Sequence, residues 1–131
     1  MKIANFMLQH DLSDEQISSG LFNPSLTDEE KDKLKKLMLV DPNADSIYSQ
    51  AVELFNFIIE ILKRENVKDF HIMGQANLMV CLYRVNYDYN PNDFCMWEST
   101  TERVSQEVKN SDGTTTKTNV FKFVRLRKYG C

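Results

Sequence analysis

The stretch ADSIYSQAVELFNFIIEILKREN, residues 44–66, constrains the fold more than any other part of the chain. Ile47, Ala51, Leu54, Phe55, Ile58, Ile61 and Leu62 recur at three- and four-residue steps, giving a helix with one broad apolar face. Lys63, Arg64 and Asn66 suit its end. A helix of this kind must pack on an apolar layer, and the flanking segments supply one. KIANFML (residues 2–8) reads as a buried strand, VKDFHIMG as a strand closing on Gly74, and FCMWES as a further strand. QANLMVCLYRV reads as a helix that starts directly from Gly74. Strand, helices, strand, helix, strand is the order of a parallel α/β sheet in three layers.

Shorter signals fill in the rest. Ser13 with Gln16 three residues on resembles a capping box, so a short helix is expected there. In NPSLTDEEKDKLKKLMLV, Thr27 caps a second helix, Asp28, Glu29 and Glu30 occupy its first turn, and lysines crowd its end until Asp41-Pro42-Asn43 breaks it. The tail from Thr101 onward reads as a two-stranded hairpin turning at Asp112-Gly113. A chain of 131 residues is the size of one domain, 1–131, with a single core.

Composition excludes several classes. No apolar run approaches the roughly 20 residues that span a bilayer, so no membrane partner is expected. MKIANFML lacks a small-residue cleavage site and reads as a first strand rather than a signal peptide. Cys81, Cys95 and Cys131 form neither a disulfide framework nor a zinc knuckle, and a reducing cytoplasm is the simplest location. Residues 1–69 carry 13 acids and 8 bases, a charge of −5; residues 70–131 carry 6 acids and 8 bases, a charge of +2. Lys117, Lys122, Arg125, Arg127 and Lys128 follow one another without an intervening acid. That patch is too small for duplex nucleic acid, where affinity rests on many phosphate contacts, but sufficient for a small anion.

Parallel sheets bind ligands beyond the carboxyl ends of their strands. That rule selects three strand-end loops: Gln9-His10-Asp11, Gly74-Gln75-Ala76-Asn77 and Ser99-Thr100-Thr101. Gly74 and Ala76 would let a phosphate approach the free N–H groups of a helix start, or serve only as a turn. His10 suits an acid/base or phosphate-donor role, or stands as an unpartnered loop residue, whereas His71 falls mid-strand and reads as packed. Ser99, Thr100 and Thr101 with Arg103 suit phosphate oxygens equally with a solvated strand edge. Strand alternation puts Phe121, Phe123, Arg125, Arg127 and Tyr129 on one face, a mixture suited to bases and phosphates or a core edge running out to solvent. No second ligand stands at metal-binding spacing from either histidine, and no metal or other cofactor is expected.

Three segments, LQHDLSDEQ, MGQANLMV and STTERVSQEVKNSDGTTTKTNVFKFVRLRKYG, resemble one family in the same order along nearly the whole chain. It comprises small ancillary proteins of type III CRISPR systems, related to the CARF (CRISPR-associated Rossmann fold) and ring-nuclease proteins. Gln9 and Ser13 stand where that family has Ser and Thr, the central loop carries fewer glycines, and LFNPSLTDEEKDKLKKLML has no counterpart. The resemblance implies a Rossmann-like (CARF-like), mostly parallel sheet with a C-terminal hairpin. It also implies a homodimer that binds a cyclic oligoadenylate messenger, tetra-adenylate first, across its two-fold axis. Relatives open the ring without metal, the ribose 2′-hydroxyl attacking the neighbouring phosphorus; a sponge or sensor that binds without cutting is the alternative. On that basis His10, Arg103 and Thr100 are the expected catalytic residues. Gln9, Gly74, Gln75, Asn77, Ser99, Thr101, Arg125 and Arg127 are the expected ligand-binding ones.

Overall fold

The computed structural model describes residues 1–8, 11–89 and 93–130. Its sheet has five strands in the order β2-β1-β3-β4-β5: β1 Ile3–Asn5, β2 Leu21–Phe22, β3 Asp69–His71, β4 Cys95–Lys109 and β5 Thr115–Lys128. The first four strands are parallel and β5 is antiparallel to β4. The helices are α1 Asp14–Ser18, α2 Asp28–Met38, α3 Tyr48–Glu65 and α4 Ala76–Tyr89. The expected mixed α/β order is therefore present, with two differences. The first strand shortens from residues 2–8 to three residues, and β2, within a segment that carried no strand signal, forms the far edge. Two residues are too few for a periodicity, so only pairing with β1 defines that strand.

The helices begin where side chains satisfy their free N–H groups. At α1, Gln16 N–H donates to Ser13 Oγ (3.2 Å) while Ser13 N–H donates to Gln16 Oε1 (2.8 Å). At α2, Glu30 N–H donates to Thr27 Oγ1 (3.1 Å) and Thr27 N–H to Glu30 Oε1 (2.9 Å). Thr27→Ala should cost about 1 kcal/mol by chemical denaturation, and an unchanged midpoint would count against the cap. Helix α3 ends on Asn66 in the left-handed conformation (φ 56°), with Val67 N–H returning to the Leu62 carbonyl at 3.0 Å.

Helices α2, α3 and α4 share one apolar cluster with Ala4, Phe6, Phe70, Ile72 and Met96. These five alternate along β1, β3 and β4 and their extensions, so they define one face of the sheet. Right-handed crossovers account for this: the connections β2→β3 and β3→β4 run one way across the sheet, and β1→β2, through α1, runs the other. Among the described residues the third layer is thus reduced to the five residues of α1, on the side of the face bearing Asn5, His71, Trp97 and Ser99.

Strand β4 does not stop after Ser99. It continues to Lys109 paired with β5 throughout, and the two form a ribbon whose outer residues are largely exposed. Ser99, Thr100 and Thr101, expected in a strand-end loop, are mid-strand residues because β5 supplies hydrogen-bond partners beyond the edge of β3. The turn falls at Asp112-Gly113 as expected, with Gly113 at φ 87°.

Candidate functional site

The strand order reverses between β1 and β3: β1 leads outward to β2, and the chain returns to the far side of β1 as β3. In open α/β sheets the crevice beyond the strand ends at such a reversal is where ligands bind. Asn5 and His71, the last residues of β1 and β3, are paired in register across this point. Both are buried, at 1% and 4% exposure.

Their side chains belong to one hydrogen-bonded chain. Asn5 Nδ2 donates to the Met7 carbonyl (2.9 Å) and to Asn23 Oδ1 (2.9 Å), and Asn5 Oδ1 accepts from Met7 N–H (3.0 Å). The amide orientation follows, so Oδ1 faces His71 Nδ1 at 2.9 Å and that nitrogen carries the proton. His71 Nε2 is then an acceptor, and Ser99 Oγ donates to it at 2.9 Å. Met73 Sδ lies 3.3 Å from the same hydroxyl. Burial pushes the His71 imidazolium down to a pKa of about 4, so the ring is neutral at physiological pH. A hydroxyl, a neutral imidazole and an amide that fixes the tautomer form a proton-accepting relay.

Cross-strand pairing sorts the other candidates. A bulge on β5 leaves Val124 unpaired, since Thr100 pairs with Arg125 while Thr101 pairs with Phe123. Trp97, Ser99, Thr101 and Arg103 therefore share the His71 face with Lys128, Leu126, Phe123 and Phe121. Glu98, Thr100 and Glu102 lie on the helix-side face with Arg127, Arg125 and Lys122. The expected face joining Phe121 and Phe123 to Arg125 and Arg127 does not form, because the bulge reverses the alternation. Thr100, Arg125 and Arg127 are separated from His71 by the sheet itself. Ser99 is half-buried, while Thr101 and Arg103 are exposed. Lys128 Nζ stands 5.5 Å from the Trp97 ring centroid, and Trp97 Nε1 donates to Asp69 Oδ1 at 2.8 Å.

Gly74, Gln75 and Asn77 are exposed at the turn from β3 into α4. Gly74 avoids the left-handed region, and a Cβ there would meet the terminal methyl of Met38 at 2.7 Å, which a flexible side chain can move, so neither backbone nor packing demands glycine. Gln75 caps α4 with its own side chain, Oε1 accepting from Leu78 N–H at 2.7 Å. Gln9 and His10, and Cys131, lie outside the described residues. Among the described residues no three His, Cys, Asp or Glu side chains gather into a metal-ligand group, and no helix is long and apolar enough to cross a membrane.

His71 was legible only as a packed residue, although one signal pointed further. Asn5 and His71 are polar residues inside otherwise apolar strands, and buried polar groups of this kind require partners.

These features define an α/β protein with a buried Asn–His–Ser relay at the switch point of a mixed sheet and a two-stranded arm extending from it. The chain belongs to the uncharacterized protein MJ1673 family, whose model matches residues 2–127. No curated protein and no solved structure matches it. The family description carries no activity and makes no connection to CRISPR systems.

Proposed function

We propose that this protein binds a cyclic oligoadenylate at the carboxyl ends of its parallel strands and opens the ring without a metal. The setting, a homodimer of CARF-like type that ends type III CRISPR signalling in the cytoplasm, comes from the sequence resemblance. The observation that supports the chemistry is the row Ser99, Thr101 and Arg103, on one face of β4 and continuous with His71. Four residues of strand span roughly 13 Å, long enough to meet more than one group of an oligonucleotide. Along that row Arg103 offers a guanidinium fork to phosphate, and the hydroxyls of Ser99 and Thr101 align the ribose. The ligand's own 2′-hydroxyl attacks in line and leaves a 2′,3′-cyclic phosphate, so the protein supplies orientation above all. Gly74, Gln75 and Asn77, exposed where β3 turns into α4, are the remaining ligand contacts that the resemblance implies. His10, in the segment after β1, is the candidate acid.

Incubation with labelled cyclic tetra-adenylate, followed by chromatography, tests this reading. Appearance of linear products ending in a 2′,3′-cyclic phosphate supports it, and absence of binding to any ring size removes it. Arg103→Ala should weaken binding at least tenfold, since a hydrogen bond to a charged group is worth about 1.5–3 kcal/mol. Undiminished binding by that variant would remove Arg103 from the site. His10→Ala should lose cleavage more than binding. A second reading, sequestration without cleavage, is favoured by the outer end of the row, where Thr101 and Arg103 offer hydrogen bonds and charge but no general base. Tight binding with the ring intact after long incubation selects it.

A further inference from the structure

The inner end of the row, where the messenger reading gives Ser99 only an aligning hydrogen bond, has a further chemistry. We propose that Ser99 is a nucleophile, with His71 as its base and Asn5 as the residue that positions His71, and that it acts on uncharged carboxylic esters bearing an apolar acyl group. This inference does not rest on the messenger reading, which needs Arg103 for the phosphate and no proton transfer from Ser99.

Three observations carry it. First, the hydroxyl points its proton at an imidazole nitrogen whose tautomer is fixed from behind, the arrangement that activates a serine. The chain order Asn5, His71, Ser99 places one member on each of three adjacent strands, so the sheet itself holds the geometry. Second, the partners of the relay are uncharged: the Asn5 amide, the Met73 thioether and the Ser99 hydroxyl. Burial alone accounts for the lowered basicity of His71. Asp69, on the same face, is engaged by the Trp97 indole, and Lys128 stands over the Trp97 ring. An anionic phosphodiester at Ser99 would meet thioethers and a neutral ring, whereas a neutral ester suits them. Third, an apolar groove of about 750 Å3, within the range of small-ligand sites, opens past the ends of β1 and β3, with Lys35 among its lining residues. Phe6, Leu8, Leu34 and Met38 line it. Met7 and Met73 line it as well, and Met73 also touches the Ser99 hydroxyl. Met73 is thus shared by the groove and the Ser99 hydroxyl, and an acyl chain lying in the groove would approach the reacting oxygen past that thioether.

The steps balance with water as the co-reactant. Ser99 Oγ adds to the ester carbonyl carbon as its proton passes to His71 Nε2. Collapse breaks the bond to the alcohol oxygen, which takes the proton from His71 and leaves, with the acyl group now on Ser99. Water then adds to that acyl carbon, giving its proton to His71. The second collapse returns the proton to Ser99 Oγ and releases a carboxylic acid.

The test uses a fluorophosphonate probe on the full chain, read by mass spectrometry, with hydrolysis of p-nitrophenyl hexanoate in parallel. Wild-type protein should gain the adduct on the peptide containing Ser99, and Ser99→Ala should lose both adduct and turnover. His71→Gln should slow labelling at least 100-fold. Asn5→Asp covers the case in which His71→Gln does not fold: a carboxylate on Nδ1 raises the basicity of His71, so the acid limb of the labelling rate should move from near pH 4 toward neutrality. A folded wild-type protein that leaves Ser99 unlabelled overturns the proposal. So does labelling that is indifferent to His71→Gln, or an acid limb that stays in place in Asn5→Asp. Ring opening of the messenger without any Ser99 adduct would leave the phosphodiesterase reading standing and this one refuted.

Discussion

Between pH 6.5 and pH 4 the protein should lose about 3 kcal/mol of folding stability through His71 alone. The unfolded chain binds a proton on this ring with a pKa near 6.5, whereas burial holds the folded ring neutral down to about 4. Within that window the unfolded state carries more protons, so stability rises with pH and falls as acid is added. The full contribution of neutral burial is present above pH 6.5, and it disappears progressively toward pH 4. Urea denaturation at half-unit intervals from pH 7 to pH 5 should show a decline of about 2 kcal/mol. That interval lies above the ordinary carboxylate range, where Glu30 and Asp112, both held lower by hydrogen bonds, remain ionised. His71→Gln should be less stable at pH 7, because Asn5 and Ser99 lose their partner, yet nearly flat across the same interval. An equal slope in wild type and variant would place the titration elsewhere.

The same residue marks the boundary of what the sequence could reveal. Helix α3 was readable because eighteen residues average out local accidents, and its apolar period reports burial directly. The capping boxes at Ser13 and Thr27 and the turn at Gly113 were readable because each uses residues within four positions of one another. Strand β2 was not, since nothing in two residues distinguishes a strand from a loop until β1 lies beside them. The relay failed for a related reason. Asn5, His71 and Ser99 are separated by 66 and 28 positions, and only the sheet order brings them together. In the arm, alternation was the right rule but a single unpaired residue, Val124, reversed it, moving Arg125 and Arg127 to the other face. Selecting the carboxyl ends of the strands did identify Ser99, although as part of a loop that the continuous β4 replaces. The sheet is a mixed α/β one with parallel inner strands and a switch point, while the antiparallel β5 and the thin α1 layer depart from the Rossmann-like sheet, covered by helices on both faces, that the resemblance implied.

Two phenylalanines separate what the fold needs from what it displays. Phe70, in the central strand β3, is fully buried and meets Phe6 edge-on with centroids 6.4 Å apart. Phe70→Ala should cost about 3–5 kcal/mol, from lost transfer energy together with the cavity left behind. That is a large share of the roughly 5–15 kcal/mol available to a domain, and it should lower the melting temperature by roughly 10 °C or more. Phe121 has the same side chain at 69% exposure on the arm, opposite Arg103. Phe121→Ala should stay within about 0.5 kcal/mol of wild type in the same denaturation measurement. A comparable loss at both positions would mean that the arm is packed in solution, and that the row from Ser99 to Arg103 is not open to a ligand. If the loss is confined to Phe70, the aromatic ring on the arm contributes nothing to folding. On the proposed reading its ring, cross-strand from Arg103, is placed to stack on a base of the messenger, and Phe121→Ala should then weaken messenger binding while leaving the melting temperature alone.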